Sequence, residues 1–158
     1  MLRRNKPAPD TSAPAAPPGS EQVTYVEMAL ARVPIFQACS MDQLLRVAGV
    51  ASVRELPAGQ EVIREGDAGD EFFVILNGEV AVSRGGRQVA TLTGGDFFGE
   101  LALFDTAPRN ATVTATQTVK LVTLTRAALQ RVLDEVPIRD RILTGMARRL
   151  HELDPRVC

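Results

Sequence analysis

From Pro57 to Gly95, glycine or proline interrupts the chain every few residues, in "PAG", "EGDAGD", "NG", "RGGR" and "TGGD". No long helix survives such punctuation, because glycine is entropically costly in a helix and proline lacks a backbone donor. The segments between the turns are short and rich in Val, Ile, Phe and Thr, residues that suit a pleated, half-buried surface. Seven read as strands: Ser52–Leu56, Glu61–Arg64, Glu71–Leu76, Glu79–Ser83, Gln88–Leu92, Ala111–Ala115 and Val119–Thr125. Asn77-Gly78 and Gly85-Gly86 carry the hairpin signal, since both residue types reach the positive φ that tight turns need. Short strands at this spacing predict a small antiparallel roll of jelly-roll type, not a parallel sheet.

Helices flank this region. Val23, Val26, Met28, Ala29 and Leu30 suit a short amphipathic helix that ends before Pro34. In "CSMDQLLRVAGV" Ser40 is placed to cap, Asp42 lies in the first turn, and Leu44, Leu45, Val47 and Ala48 are candidates for burial. After the strands, Thr125 can cap "RAALQRVLDEV". Pro137 then marks a bend before "IRDRILTGMARRLHEL", where Ile138, Ile142, Met146, Leu150 and Leu153 keep a helical period. The expected class is α+β, mainly β: a β-roll between N-terminal helices and two C-terminal helices.

At 158 residues the chain suits one domain with its own core. Residues 1–20, "MLRRNKPAPDTSAPAAPPGS", hold five of the ten prolines and read as a disordered leader, with the domain over 21–158. The leader has no apolar stretch behind its basic residues, so export is not expected and the cytoplasm is. No apolar run approaches the roughly 20 residues that span a bilayer. A net charge of −1 gives no general attraction to nucleic acid. The single histidine, His151, cannot supply a His-ligated metal site, and no nucleophile elbow precedes it to build a catalytic triad. Cys39 and Cys158 make neither a disulfide framework nor a metal site. Asp67 and Asp70 form an acidic loop with a metal-friendly look.

One stretch departs from ordinary core chemistry. In "FFGELALFDTAPRNATV" two opposite charges, Glu100 and Arg109, sit among Gly, Ala, Leu and Phe. A structural ion pair, a catalytic pair and two contacts to one polar ligand are all open on composition alone. The glycines lead into a Leu/Ala-rich segment able to form about one helical turn, whose first N–H groups favour an anion. Arg109, placed by Pro108, can return to that point, and its planar fork suits a phosphate or carboxylate.

"FGELALFDTAPRNATV" resembles the phosphate-binding cassette of the cyclic-nucleotide-binding domain family. That family includes regulatory subunits of cAMP-dependent protein kinase, catabolite-activator-type regulators and cyclic-nucleotide-gated channels. The similarity extends through "VPIF", "LPAGQEVIREGDAGDEFFVILNGEVAV" and "MARRL", from about Val23 to Leu153. The resemblance implies that Arg109 neutralises a cyclic phosphate, helped by backbone amides at Leu101 and Ala102. Glu100 would bind the ribose 2′-hydroxyl, and Gly99 would permit close approach. Val82, Val89, Ala90 and Leu92 would line the base, and Asn110 and Ala111 complete the site. Relatives often carry Ala, Ser or Thr where Asn110 stands. An amide both donates and accepts, so Asn110 could touch the phosphate or a guanine edge; cAMP is the expected ligand, with cGMP weaker. For the acidic loop of Asp67 and Asp70 the resemblance implies a structural turn instead, and neither metal nor catalysis is expected.

Carried over from bacterial relatives, Arg149 would reach Glu100 and Leu153 would cover the purine. The expected function is a non-enzymatic sensor that couples cyclic-nucleotide binding to movement of its C-terminal helices. A sensor fragment of a transcription regulator or channel, and a ligand-free docking module, are the alternatives. The C-terminal helix is the surface expected to meet an effector protein or a second copy. No DNA contact is expected, because a helix-turn-helix does not fit in the five residues after Leu153.

Overall fold

A computed structural model describes residues 26–100, 108–135, 140, 142–144 and 147. The leader predicted over 1–20 lies outside them. Residues 26–30 are helical, and a 3₁₀ turn follows at Pro34–Phe36. Helix α1 spans Met41–Val50. Ser40 caps it reciprocally: the Gln43 amide N–H donates to Ser40 Oγ, and Ser40 N–H donates to Gln43 Oε1. Leu44, Val47 and Ala48 form its buried face. Leu45 does not join them. One residue turns the helix by about 100°, and Leu45 is 39% exposed.

Among the described residues eight antiparallel strands follow: β1 Ser52–Leu56, β2 Glu61–Ile63, β3 Glu71–Asn77, β4 Glu79–Arg84, β5 Arg87–Thr93, β6 Phe97–Phe98, β7 Thr112–Ala115 and β8 Val119–Thr125. They form two four-stranded sheets, ordered β1-β8-β3-β6 and β2-β7-β4-β5. This is the expected jelly-roll arrangement. Strand ends differ from expectation by a residue, with β2 stopping at Ile63 and β7 starting at Thr112. Helix α2, Arg126–Glu135, leaves β8 with Thr125 Oγ1 accepting from the Ala128 N–H.

Two features correct the sequence reading. Asn77-Gly78 is not a hairpin, because β3 and β4 lie in different sheets. Gly78, at φ 102°, carries the chain between sheets, and a Cβ there would meet the Thr118 carbonyl oxygen at 2.5 Å. Gly85-Gly86 is a hairpin, with Arg84 opposite Arg87 and positive φ at both glycines. The second feature is β6, absent from the expected strands.

Burial explains both β3 and β6. β3 is buried on both faces. Phe72 and Val74 pack with the helices, whereas Phe73 and Ile75 point into the roll. β6 repeats this division in two residues. Phe97 stacks on Phe72 with centroids 5.6 Å apart, and Phe98 stacks on Phe73 at 4.9 Å. The helix-side core also takes Val26, Leu30, Phe36, Val122 and Leu124, and the roll interior takes Val80, Val82, Leu92, Val113 and Leu121. β3 and β6 thus bind both cores to one sheet, close to where the chain reaches Gly99.

Candidate functional site

Arg109 is fixed first by its backbone. Its N–H donates to the Asp67 carbonyl at 2.8 Å, and its own carbonyl accepts from Gly66 N–H at 2.8 Å. The acidic loop between β2 and β3 therefore holds the arginine like a short strand partner. Among the described residues no group of three His, Cys, Asp or Glu is gathered to hold a metal. The loop's visible work is structural, through its backbone carbonyls and N–H groups.

The side chain is fixed next. Arg109 is 9% exposed, and its Nη2 donates to the Glu71 carbonyl oxygen at 2.9 Å. It lies in a slot between two glycines. A Cβ on Gly69 would sit 2.6 Å from Arg109 Nε, and one on Gly99 would sit 3.2 Å from Nη1 and 2.8 Å from the Glu71 carbonyl oxygen. Gly99 also has φ 79°, a conformation L side chains rarely adopt. The Phe73 ring lies along the slot, its centroid 6.0 Å from Arg109 Cζ. Such a slot leaves the guanidinium few positions.

Glu100 directly follows Gly99 in helical backbone and is fully buried, at 0% exposed. The fold thus brings Gly99, the residue before Glu100, against the Arg109 guanidinium ten positions further along the chain. Taking ionised groups out of water is costly unless partners compensate. Part of the compensation comes from Glu71. Burial raises its carboxyl pKa above the ordinary value, Arg54 pulls it down, Asp70 pushes it up, and Arg109 pulls it down. A cleft of about 210 Å³ opens on this side of Arg109, lined by Glu61, Arg64, Asp67, Gly69 and Glu71.

The apolar wall is built by β4 and β5. Val82 and Leu92 are fully buried in the roll, while Val89 and Ala90 are half-buried against the same core. Neighbours on a strand normally point to opposite faces. Here the register passes from Val82↔Ala90 to Ser83↔Gln88, which leaves Val89 as a bulge. The bulge explains how Val89 and Ala90 both reach one core. Ala111 is fully buried, and Asn110 is exposed.

Leu101, Ala102, Arg149 and Leu153 lie outside the described residues, so their sequence assignments stay as expectations. Four contributors were absent from the expected site: Gly69, Glu71, Phe73 and Arg54. "EGDAGDEFF" held a faint signal for the first three, a glycine followed by acid and aromatic residues beside a turn. Arg54 had none. It meets Glu71 only because β1 and β3 both pair with β8.

The most informative relatives agree on the fold and differ in what they hold. The cAMP-dependent protein kinase regulatory subunit of Hypocrea atroviridis is 37% identical over 128 residues, 80% of this chain and 28% of its own length. The chain therefore spans under a third of that relative. The cAMP-bound PfPKA-R structure superposes with a TM-score of 0.75 and 31% identity, over 85% of this chain and 48% of its own. The regulatory subunit of a cAMP-independent protein kinase A from Trypanosoma cruzi, bound to guanosine, gives a TM-score of 0.68 at 27% identity, over 76% and 44%. Residues 53–136, more than half of the sequence, match the model described as the cyclic nucleotide-binding domain, and with the jelly roll and its arginine slot in place the chain belongs to that family.

Proposed function

We propose that this domain binds cAMP, with cGMP weaker, and transmits its occupancy to the helices after the roll without catalysing a reaction. The observation that carries the reading is the buried Arg109 in a two-glycine slot, with the fully buried Glu100 directly following Gly99, one of those glycines. A cyclic nucleotide offers both partners at once, a phosphate anion for the guanidinium and a 2′-hydroxyl for the carboxylate. Leu101 and Ala102 would add backbone N–H groups to the phosphate. Val82, Val89, Ala90 and Leu92 would border the base, with Asn110 and Ala111 beside them.

The guanosine-bound relative shows that this fold can hold an uncharged nucleoside. An anionic phosphate adds a charge-assisted contact with Arg109 that a neutral nucleoside cannot make, which favours the cyclic phosphate. Calorimetric titration with cAMP, cGMP and guanosine tests the choice. The expected order of affinity is cAMP, then cGMP, then guanosine. Guanosine binding as tightly as cAMP, or no heat with either cyclic nucleotide, would overturn it.

Coupling has one support among the described residues. The N–H of Arg126, first residue of α2, donates to the Asp70 carbonyl at 2.7 Å, so the loop that holds Arg109 also holds this helix. Further on, Arg149 would meet Glu100 and Leu153 would cover the purine. Ligand then favours one helix position through differential contact. Hydrogen exchange over residues 137–158 should slow with cAMP in the wild type and not in Arg149→Ala. Unchanged exchange at saturation would remove these helices from the mechanism. The likeness to a kinase regulatory subunit supports an effector protein or second copy as partner, and the cytoplasm as the compartment.

A further inference from the structure

Arg109 is not the only arginine that the Glu71 carboxylate can serve. Glu71 Oε2 accepts from Arg54 Nη2 at 2.9 Å, and this pair is largely shielded, with side chains 17% and 12% exposed. By contrast the Arg64–Glu61 contact is open to water, with side chains 65% and 39% exposed. Glu71 also lines the cleft beside Arg109, gives that arginine its backbone carbonyl, and feels its charge. Glu71 therefore meets two arginines, Arg54 through its carboxylate and Arg109 through its backbone carbonyl, and it lines the same cleft as Arg109. One of them is the proposed phosphate contact.

We propose that Arg54 is a positioning residue for ligand binding: by holding the Glu71 carboxylate, it limits how far that carboxylate competes with the ligand phosphate for Arg109. The inference rests on the cyclic-nucleotide reading above. Its physical content is a competition between two anions for one cation. Glu71 is tethered within reach, and the phosphate must displace whatever share of Arg109 the carboxylate holds. Arg54 reduces that share.

The competition gives signs that a structural ion pair would not. Arg54→Ala should weaken cAMP binding by about tenfold, equivalent to about 1.4 kcal/mol. Glu71→Gln, which keeps the shape and removes the competing charge, should bind cAMP at least as tightly as the wild type. The double variant Arg54→Ala/Glu71→Gln should bind like Glu71→Gln, although it lacks the ion pair as completely as Arg54→Ala does. Acid provides a second readout. Protonating Glu71 neutralises the competitor, so cAMP affinity of Arg54→Ala should recover toward wild type as pH falls from about 7 to about 5. Asp70, Asp67 and Glu61, with Arg64 and Arg109, surround the same carboxylate. All of them remain in the double variant, which should show no such recovery.

Calorimetry on the full chain, with cAMP as the probe and thermal melts on each variant, decides the matter. Arg54→Ala binding like wild type would overturn the proposal. So would a double variant as weak as Arg54→Ala, or a Glu71→Gln variant that loses affinity. Glu71→Gln keeps the test open if Arg54→Ala does not fold. A wild type that binds no cyclic nucleotide would sink the functional reading itself, an outcome distinct from a wild type that binds while its variants disobey the predicted signs.

Discussion

Gly69 and Gly99 flank the Arg109 guanidinium, whereas Gly85 and Gly86 form the tip of the β4–β5 hairpin, and a methyl group would meet different surroundings at the two places. At the slot, a Cβ on either glycine falls below 3.0 Å from a neighbouring heavy atom. At the hairpin tip nothing lies within 4 Å of either added Cβ. The tip glycines serve the local turn, and their φ values of 58° and 78° are reason enough for them. The slot glycines serve a side chain forty positions away in one case and ten in the other. A glycine kept for its turn and a glycine kept for its emptiness look alike in a sequence. Mutation separates them.

The largest effect should come from removing what the slot holds. Truncating one partner of a desolvated charge pair costs roughly 2–5 kcal/mol. Arg109→Ala should therefore weaken cAMP binding by about 30-fold or more at about 1.4 kcal/mol per decade. Near-equal affinities of wild type and variant in calorimetry would end the assignment. Gly99→Ala comes next, because it carries two penalties. Its φ of 79° strains any L side chain, at about 1–3 kcal/mol, and its Cβ would push on the Glu71 carbonyl that anchors Arg109. Both melting temperature and cAMP affinity should fall. A variant that melts lower but binds normally would show that the carbonyl does not position the arginine.

How much of this was readable from the chain follows the same division. Turn glycines, the Ser40 cap and most strands were legible, because each is set by residues close in sequence. The charges Glu100 and Arg109 were legible through the motif around them. β6 was not, since two phenylalanines between glycines show no alternation. They become a strand only where Phe72 and Phe73 offer rings to stack on. The hairpin expected at Asn77-Gly78 failed for a related reason. The local signal for a bend was right, but which sheet β4 joins is decided by β5 and β7. The rest of the slot was hidden because Arg54, Gly69 and Glu71 converge only when β1 and β3 have both paired with β8.

Gly69→Ala should produce a cleaner result than Gly99→Ala. Gly69 has no positive φ, and the atoms its Cβ would meet belong to the Arg109 guanidinium, at 2.6 Å for Nε and 2.8 Å for Nη2. A side chain yields more readily than backbone, so the arginine should shift while the fold stays. The expected outcome is a loss of cAMP affinity of about tenfold with the melting temperature nearly unchanged. In an Arg109→Ala background the same substitution should cost no further affinity, since coupling disappears with the partner. Additive losses would mean that Gly69 acts through something other than the guanidinium.

Gly86→Ala is the control on the other side of the comparison and should have the smallest effect. Its φ of 78° lies in the left-handed region, where a Cβ costs about 1 kcal/mol. The space around it is open, so strain is the only penalty. For a domain of this size that cost lowers the melting temperature by about 3–5 °C. Gly86→Asn should recover part of the loss, because Asn tolerates the left-handed region better than other side chains. The tip is anchored by Gly85 N–H, which donates to Glu65 Oε1 at 2.9 Å, and this bond uses no atom of Gly86. The Val89 bulge lies further along β5, beyond the Arg84–Arg87 pair that closes the turn. The apolar wall should therefore keep its register, and cAMP affinity should match the wild type. A fall in affinity at Gly86→Ala as large as that at Gly69→Ala would erase the distinction between the two pairs, placing the hairpin tip within the binding site.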